Sequence, residues 1–129
     1  FGISKLNLQL DQLLGGRSSD LVFPVQIWGL ASNPIVAVND AGAATFSATG
    51  TAGRSAYVRV TNTTVNITNG GGGVNNRITI GSFQVNNMYP VFNSSGQINN
   101  IRVGARAQIT ATKNEGDYSG TATLRLTYL

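Results

Sequence analysis

The sequence predicts an all-β chain folded as a two-sheet β-sandwich, and three observations predict it. Apolar and polar residues alternate with a period of two through most of the chain. Turn residues recur between the alternating runs and divide them into about seven to nine short strands. No helical pattern follows residue 17. Composition agrees. Only 11% of the 129 residues are charged, below the usual quarter, while Gly, Asn, Thr and Val recur throughout. Such a chain is one domain, long enough to bury a core without metal or disulfide staples. Low charge with many Asn, Ser and Thr suits a secreted β protein better than a cytosolic enzyme.

The opening segment "ISKLNLQLDQLLGGRSS" has two readings. As a helix, Ile3, Leu6, Leu10, Leu13 and Leu14 form a stripe that Gly15 and Gly16 terminate. As a strand, Leu6, Leu8 and Leu10 share one face and Lys5, Asn7, Gln9 and Asp11 the other. The strand is preferred because it agrees with everything downstream. Gly15 to Ser19 is a flexible linker by composition. The run "DLVFPVQIWGL" follows as the next strand, with Pro24 demoting part of it to an edge or a switch between sheets. "PIVAVND", "AATFSATG", "SAYVRVTN" and "TTVNIT" are successive short strands. "NGGGG" reads as a flexible loop or hairpin tip, and it is not a phosphate loop, because no Gly-Lys-Ser/Thr follows. "RITIGSFQVNN" is a strand, "PVFNSSGQINN" a turn region, and "IRVGARAQITAT" a strand. The final run, "GDYSGTATLRLTYL", sets Tyr118, Gly120, Ala122, Leu124, Leu126 and Tyr128 against Ser119, Thr121, Thr123, Arg125 and Thr127.

The residue inventory argues against catalysis. There is no His and no Cys, which removes the commonest general base, the commonest metal ligand and every thiolate. Five carboxylates remain: Asp11, Asp20, Asp40, Glu115 and Asp117. Glu115 and Asp117 flank Gly116 near Lys113, a pattern of an exposed turn rather than of a glycosidase pair. No enzyme activity, cofactor or metal is expected. The net charge of +4 comes from cations scattered singly, so no nucleic-acid patch is expected. The aromatic residues are dispersed, mostly at apolar-phase positions, and are expected in the core rather than in a base- or sugar-stacking platform. No apolar run is long enough to span a bilayer, and the start at Phe1 rather than Met suggests removal of a leader. Asn62, Asn66 and Asn93 begin Asn-x-Ser/Thr triplets, which arise by chance in such a composition.

The two ends belong together. The last strand alternates to residue 129, and an unpaired edge there would leave a hydrophobic groove open to aggregation. The alternating segment 5–14 of a neighbouring copy is the expected partner.

On these residues the chain resembles the chaperone–usher pilins, and more closely a cysteine-free domain family of proteobacterial surface and fimbrial proteins. The resemblance runs from about Asp20 onward, through "DLVFPV", "ATFSATGTAGRSAYVRV" and the most specific stretch, "GDYSGTATLRLTYL". Tyr128 is the penultimate aromatic of that pattern, and Gly116 is fourteenth counting back from Leu129. The resemblance implies an immunoglobulin-like β-sandwich that is incomplete and completed by a donor strand. Residues 1–16 would be the donor extension with its Gly linker, and residues 17–129 the pilin domain. The donor residues would be Leu6, Leu8, Leu10 and Leu14. The acceptor groove would run along Gly116, Tyr118, Gly120, Ala122, Leu124, Leu126 and Tyr128.

The expected function is that of the major structural subunit of an extracellular bacterial pilus, supporting adhesion or biofilm formation. Its partners would be identical subunits joined head to tail, with a periplasmic chaperone and an outer-membrane usher during export. Neither nucleic acid nor membrane insertion is expected. The alternative is a monomeric secreted module that binds carbohydrate or another surface, with its N-terminal segment folded back on its own sandwich.

Overall fold

A computed structural model describes residues 2–11 and 15–129. The chain is all-β, and its one helical element among the described residues is a short 3-10 turn at Val74–Asn76. The strands are β1 (Gly2–Asp11), β2 (Gly15–Ser19), β3 (Ile35–Val36), β4 (Ala44–Thr49), β5 (Ala56–Val60), β6 (Thr64–Thr68), β7 (Arg77–Val85), β8 (Gln97–Gln108) and β9 (Asp117–Tyr128). Hydrogen bonding joins the strands into one nine-stranded sheet rather than the expected two, with seven strands in the order β1-β9-β6-β7-β8-β4-β2 and, off this path, β3 on β8 and β5 on β9. Among the described residues, every strand pairing is antiparallel except β1 with β9. Leu6 of β1 also bridges to Leu21, just beyond β2, so the two ends of the path meet and the sheet wraps its core.

The core is what the period-two pattern implies. Phe46 and Ala48 of β4, Ile78 and Ile80 of β7, Val103, Ala105 and Ala107 of β8, and Leu124 and Leu126 of β9 are all buried. Intervening residues such as Thr49, Arg59, Arg77 and Arg106 are exposed. The phase changes once within β7. Ser82 has a positive φ of 51° and forms a bulge between Gly81 and Gln84. The extra residue turns Phe83 and Val85 toward the core side, after Ile78 and Ile80 had occupied it.

Four sequence expectations are corrected. Gly15–Ser19 is not a free linker but pairs with β4 from Ala48 to Thr45, because that strand edge has unsatisfied backbone groups and glycine backbone approaches it without hindrance. The run after Asp20 is not a strand: Leu21 and Phe23 are buried, and residues 24–30 form an irregular, mostly exposed segment. The "QINN" assigned to a turn is the start of β8, where Ile98 pairs with Ala48. Not all aromatics are core: Trp28 and Tyr89 are exposed, and Tyr89 stacks on Tyr57 at 5.4 Å between ring centroids.

Candidate functional site

The last strand has two edges. On one, β5 pairs through Ala56–Val60 with residues 124–128, and β6 adds the pair Thr68–Ser119. On the other lies β1, in parallel register: Leu6 opposite Gly120, Leu8 opposite Ala122 and Leu10 opposite Leu124. Within β9, Tyr118, Ala122, Leu124 and Leu126 are buried, while Gly120 and Tyr128 are partly exposed. The alternation read from the sequence is therefore visible as burial. The N-terminal segment is a strand, as preferred over the helix, and it stands at the edge of the last strand. The strand it completes belongs to its own chain. Leu6 is fully buried between Leu21 and β9, exchanging backbone hydrogen bonds with Leu21 at 2.8 and 3.1 Å. Leu14 lies outside the described residues.

Two glycines let β9 pack closely. Gly116 has φ 146°, which strains any residue with a Cβ. A Cβ on Gly120 would lie 2.8 Å from Ile67 Cγ2 and 3.2 Å from the Asn66 carbonyl oxygen, so only glycine fits beside β6.

Two tyrosines fasten the ends of the strand. Tyr118 is buried, and its hydroxyl reaches the Asn75 carbonyl oxygen at 3.2 Å and that of Asn114. It thereby ties the Gly-rich tip between β6 and β7 to the β8–β9 connection. Around it, Asn69 and Asn114 each donate a side-chain N–H to Asn76 Oδ1 at 2.9 Å, and Lys113 Nζ donates to the Val74 carbonyl at 2.6 Å. Burial raises the Tyr118 hydroxyl above its ordinary pKa by disfavouring the phenolate. At the other end, Thr51 N–H donates to Tyr128 Oη at 2.9 Å, and the Arg54 guanidinium lies 4.1 Å from the ring centroid. Hydrogen bonds with the Thr51 side chain and backbone, then the charge of Arg54, lower the Tyr128 pKa. Arg54 also donates to the Leu129 carbonyl oxygen at 3.1 Å.

Arg125 stands between two strands in register, opposite Arg59 on β5 and opposite Asp11 on β1. At this row a like charge on one edge of β9 is set against an opposite charge on the other, and the Leu124–Val60 and Leu126–Val58 pairs flank it.

Glu115 and Asp117 are exposed in and after the β8–β9 connection. Among the described residues, no group of three or more His, Cys, Asp or Glu is placed to hold a metal. No helix among them is long and apolar enough to cross a membrane. Sequence reasoning missed a different feature. Beyond the end of its pairing with β6 and past its bulge against β8, β7 borders a groove of about 700 Å3 that opens toward β5, lined by Val58, Val60, Phe83, Val85 and Met88. The alternation of β7 contains no hint of it, because the groove depends on the bulge at Ser82 and on the break between β5 and β6.

Residues 29–128 match the family model described as Domain of unknown function (DUF4402), and the chain belongs to that family. β1 and β2 precede the matched residues. No curated protein and no solved structure matches the chain.

Proposed function

We propose that this DUF4402 chain is the structural subunit of an extracellular bacterial surface fibre, built by exchanging β1 between copies of an immunoglobulin-like sandwich. The observation that carries the reading is how β1 is held. It is the terminal strand of the hydrogen-bonded path, so its departure breaks one ladder. That ladder is parallel, which is slightly weaker per residue than the antiparallel kind. Its register is broken between Ile3 and Lys5, and its other edge meets the fold at the Leu6–Leu21 bridge. The same groove on a second copy accepts the same strand with the same contacts, so exchange costs little at equilibrium. Pairing of that kind is heterologous and continues from copy to copy, which makes a filament. The gain is a backbone ladder plus apolar side chains in pockets. Burying Leu6 alone contributes roughly 1.5–3 kcal/mol. In this reading a periplasmic chaperone and an outer-membrane usher guard the β9 edge before assembly, and the protein performs no chemistry.

The placement of β1 on its own chain also favours the second reading, a monomeric secreted module that binds carbohydrate or another surface. One experiment separates the two. Asn7 and Thr121 are register partners across β1 and β9, and the chain has no cysteine to interfere. Neighbouring strands stand at a separation that a disulfide spans. Asn7→Cys with Thr121→Cys is therefore expected to lock β1 in place when oxidised. The oxidised protein should form no dilution-stable fibres by negative-stain microscopy, and reductant should restore them. Dilution-stable fibres from fully cross-linked protein would exclude exchange of β1. No dilution-stable fibres, with or without reductant, would select the module.

A further inference from the structure

Two apolar features stand uncovered among the described residues. The first is the segment that was expected to be a strand. Val25, Ile27, Trp28 and Leu30 are 79%, 71%, 59% and 57% exposed. Their exposed surface together is about 500 Å2, backbone included, which is within the range of a monomer's largest patch. The segment is hydrogen-bonded within itself and to Ser32, which follows it. Gln26 Nε2 donates to the Pro24 carbonyl at 2.8 Å, and Ser32 Oγ donates to Gln26 Oε1 at 3.0 Å. Its apolar side chains nevertheless face solvent.

The second is the groove between β5 and β7. Val58 is fully buried at its floor, Val60, Phe83 and Val85 are half-buried along its walls, and Met88 is exposed at its mouth. Strand backbone flanks it on both sides, because β6 pairs with β7 only as far as Gly81 and β5 ends at Val60. The bulge that opens it is set by Ser82, a non-glycine residue at positive φ, which is an unfavourable conformation that the fold maintains.

The two features lie apart. Trp28 and Leu30 lead into Ser32, which bridges to Ile109 just past the end of β8. The groove wall is level with Val103, the register partner of Val85. The extended chain from Val103 to Ile109 spans about 20 Å. None of the four exposed residues lines the groove.

We infer that residues 24–30 of one copy dock in the β5–β7 groove of a second copy, forming a contact between subunits that goes beyond the exchange of β1. Three features favour a second copy as the occupant. About 500 Å2 from the segment, with the rim around it, approaches the roughly 800 Å2 that each partner gives to a stable interface. Residues 21–39 contain no charged side chain, and Arg59 is the one charge among the described residues lining the groove, so docking strands no pair of ions. Finally, the groove volume suits several apolar side chains, which is what the segment offers. The contact joins two different surfaces, so it does not close on itself.

The test uses the oxidised Asn7→Cys, Thr121→Cys protein, in which β1 cannot exchange, so docking and exchange fail independently. Sedimentation equilibrium should show concentration-dependent association. Ile27→Lys removes the knob and Met88→Lys charges the mouth beside Arg59, both at exposed positions. Each should weaken association at least tenfold. Mixed in equal amounts, the two variants should recover a dimer that grows no further, because one retains a groove and the other a segment. A locked protein that stays monomeric at all concentrations, unchanged association in either variant, or a mixture that fails to pair would each overturn the inference. So would flotation of the locked monomer with anionic phosphatidylglycerol vesicles, abolished by Ile27→Lys, because the segment would then serve a lipid surface. Circular dichroism of both variants should match the parent, and a variant that lost the fold would be replaced by Trp28→Ser or Thr63→Lys.

Discussion

Replacing Gly104 by alanine should be among the most damaging single-atom additions to this protein. A Cβ there would lie 2.2 Å from the Val36 carbonyl oxygen, 3.0 Å from Ala37 C and 3.1 Å from Val38 N. All three are backbone atoms, so no rotamer relieves the contact. Reaching ordinary van der Waals separation requires the 36–38 backbone to move by about 1 Å. That movement pulls on β3, where Ile35 and Val36 pair with Arg106 and Ala105. It also pulls on Arg102, which donates Nε to the Val38 carbonyl and Nη2 to the Asp40 carbonyl at 2.7 Å. Overpacking of this kind costs about 1–3 kcal/mol, and each strained hydrogen bond adds about 0.5–1.5 kcal/mol. A loss of about 3 kcal/mol is expected. With a urea m-value of about 1–3 kcal/mol/M, the unfolding midpoint should fall by about 1–3 M. Gly72→Ala is the control, because nothing lies within 4 Å of its Cβ position. It should stay within about 0.5 kcal/mol of the parent. Urea melts followed by circular dichroism make the comparison. A Gly104→Ala midpoint within about 0.3 M of the control would refute the packing argument.

Gly120→Ala should cost about 1–2 kcal/mol by the same melts, because its Cβ meets the buried Ile67 side chain at 2.8 Å; combining it with Ile67→Ala should give less than the sum of the two losses. Tyr118→Phe should cost about 0.5–1.5 kcal/mol near neutral pH through the lost hydroxyl bonds. The folded pKa of Tyr118 is raised, so its contribution is full below the unfolded value of about 10 and is lost as pH rises through the folded value. A Tyr128→Phe background removes a hydroxyl shifted the opposite way. In that background, stability should fall more steeply above about pH 10 when Tyr118 is retained than in the Tyr118→Phe double variant; parallel curves would contradict this. Leu126→Asp places a charge in the core opposite Val58 and should abolish both soluble yield and fibres, whereas Thr123→Ser should leave both unchanged.

The all-β class and the burial phase of β4, β5 and β9 were legible because a strand's side chains alternate by covalent geometry, whatever it pairs with. The row Tyr118, Ala122, Leu124 and Leu126 is buried for that reason alone. The Gly-rich tip was legible too, since Asn69 to Gly73 offers no side chains to a core. Pairing partners are another matter, because they depend on residues distant in sequence. Nothing in Gly15–Ser19 announces β4 as its neighbour, and nothing in "DLVFPVQIWGL" reveals that Leu21 and Phe23 alone turn inward. The candidate site divides the same way. The sequence by itself determined which face of β9 is apolar and that residues 5–11 alternate as a strand would. Only the tertiary structure decided that this strand runs parallel to β9 of its own chain, that Gly120 must lack a Cβ because Ile67 stands beside it, and that the bulge at Ser82 opens a groove. Alternation is local and is written residue by residue, whereas register, close approach and open space arise when distant backbones are brought together.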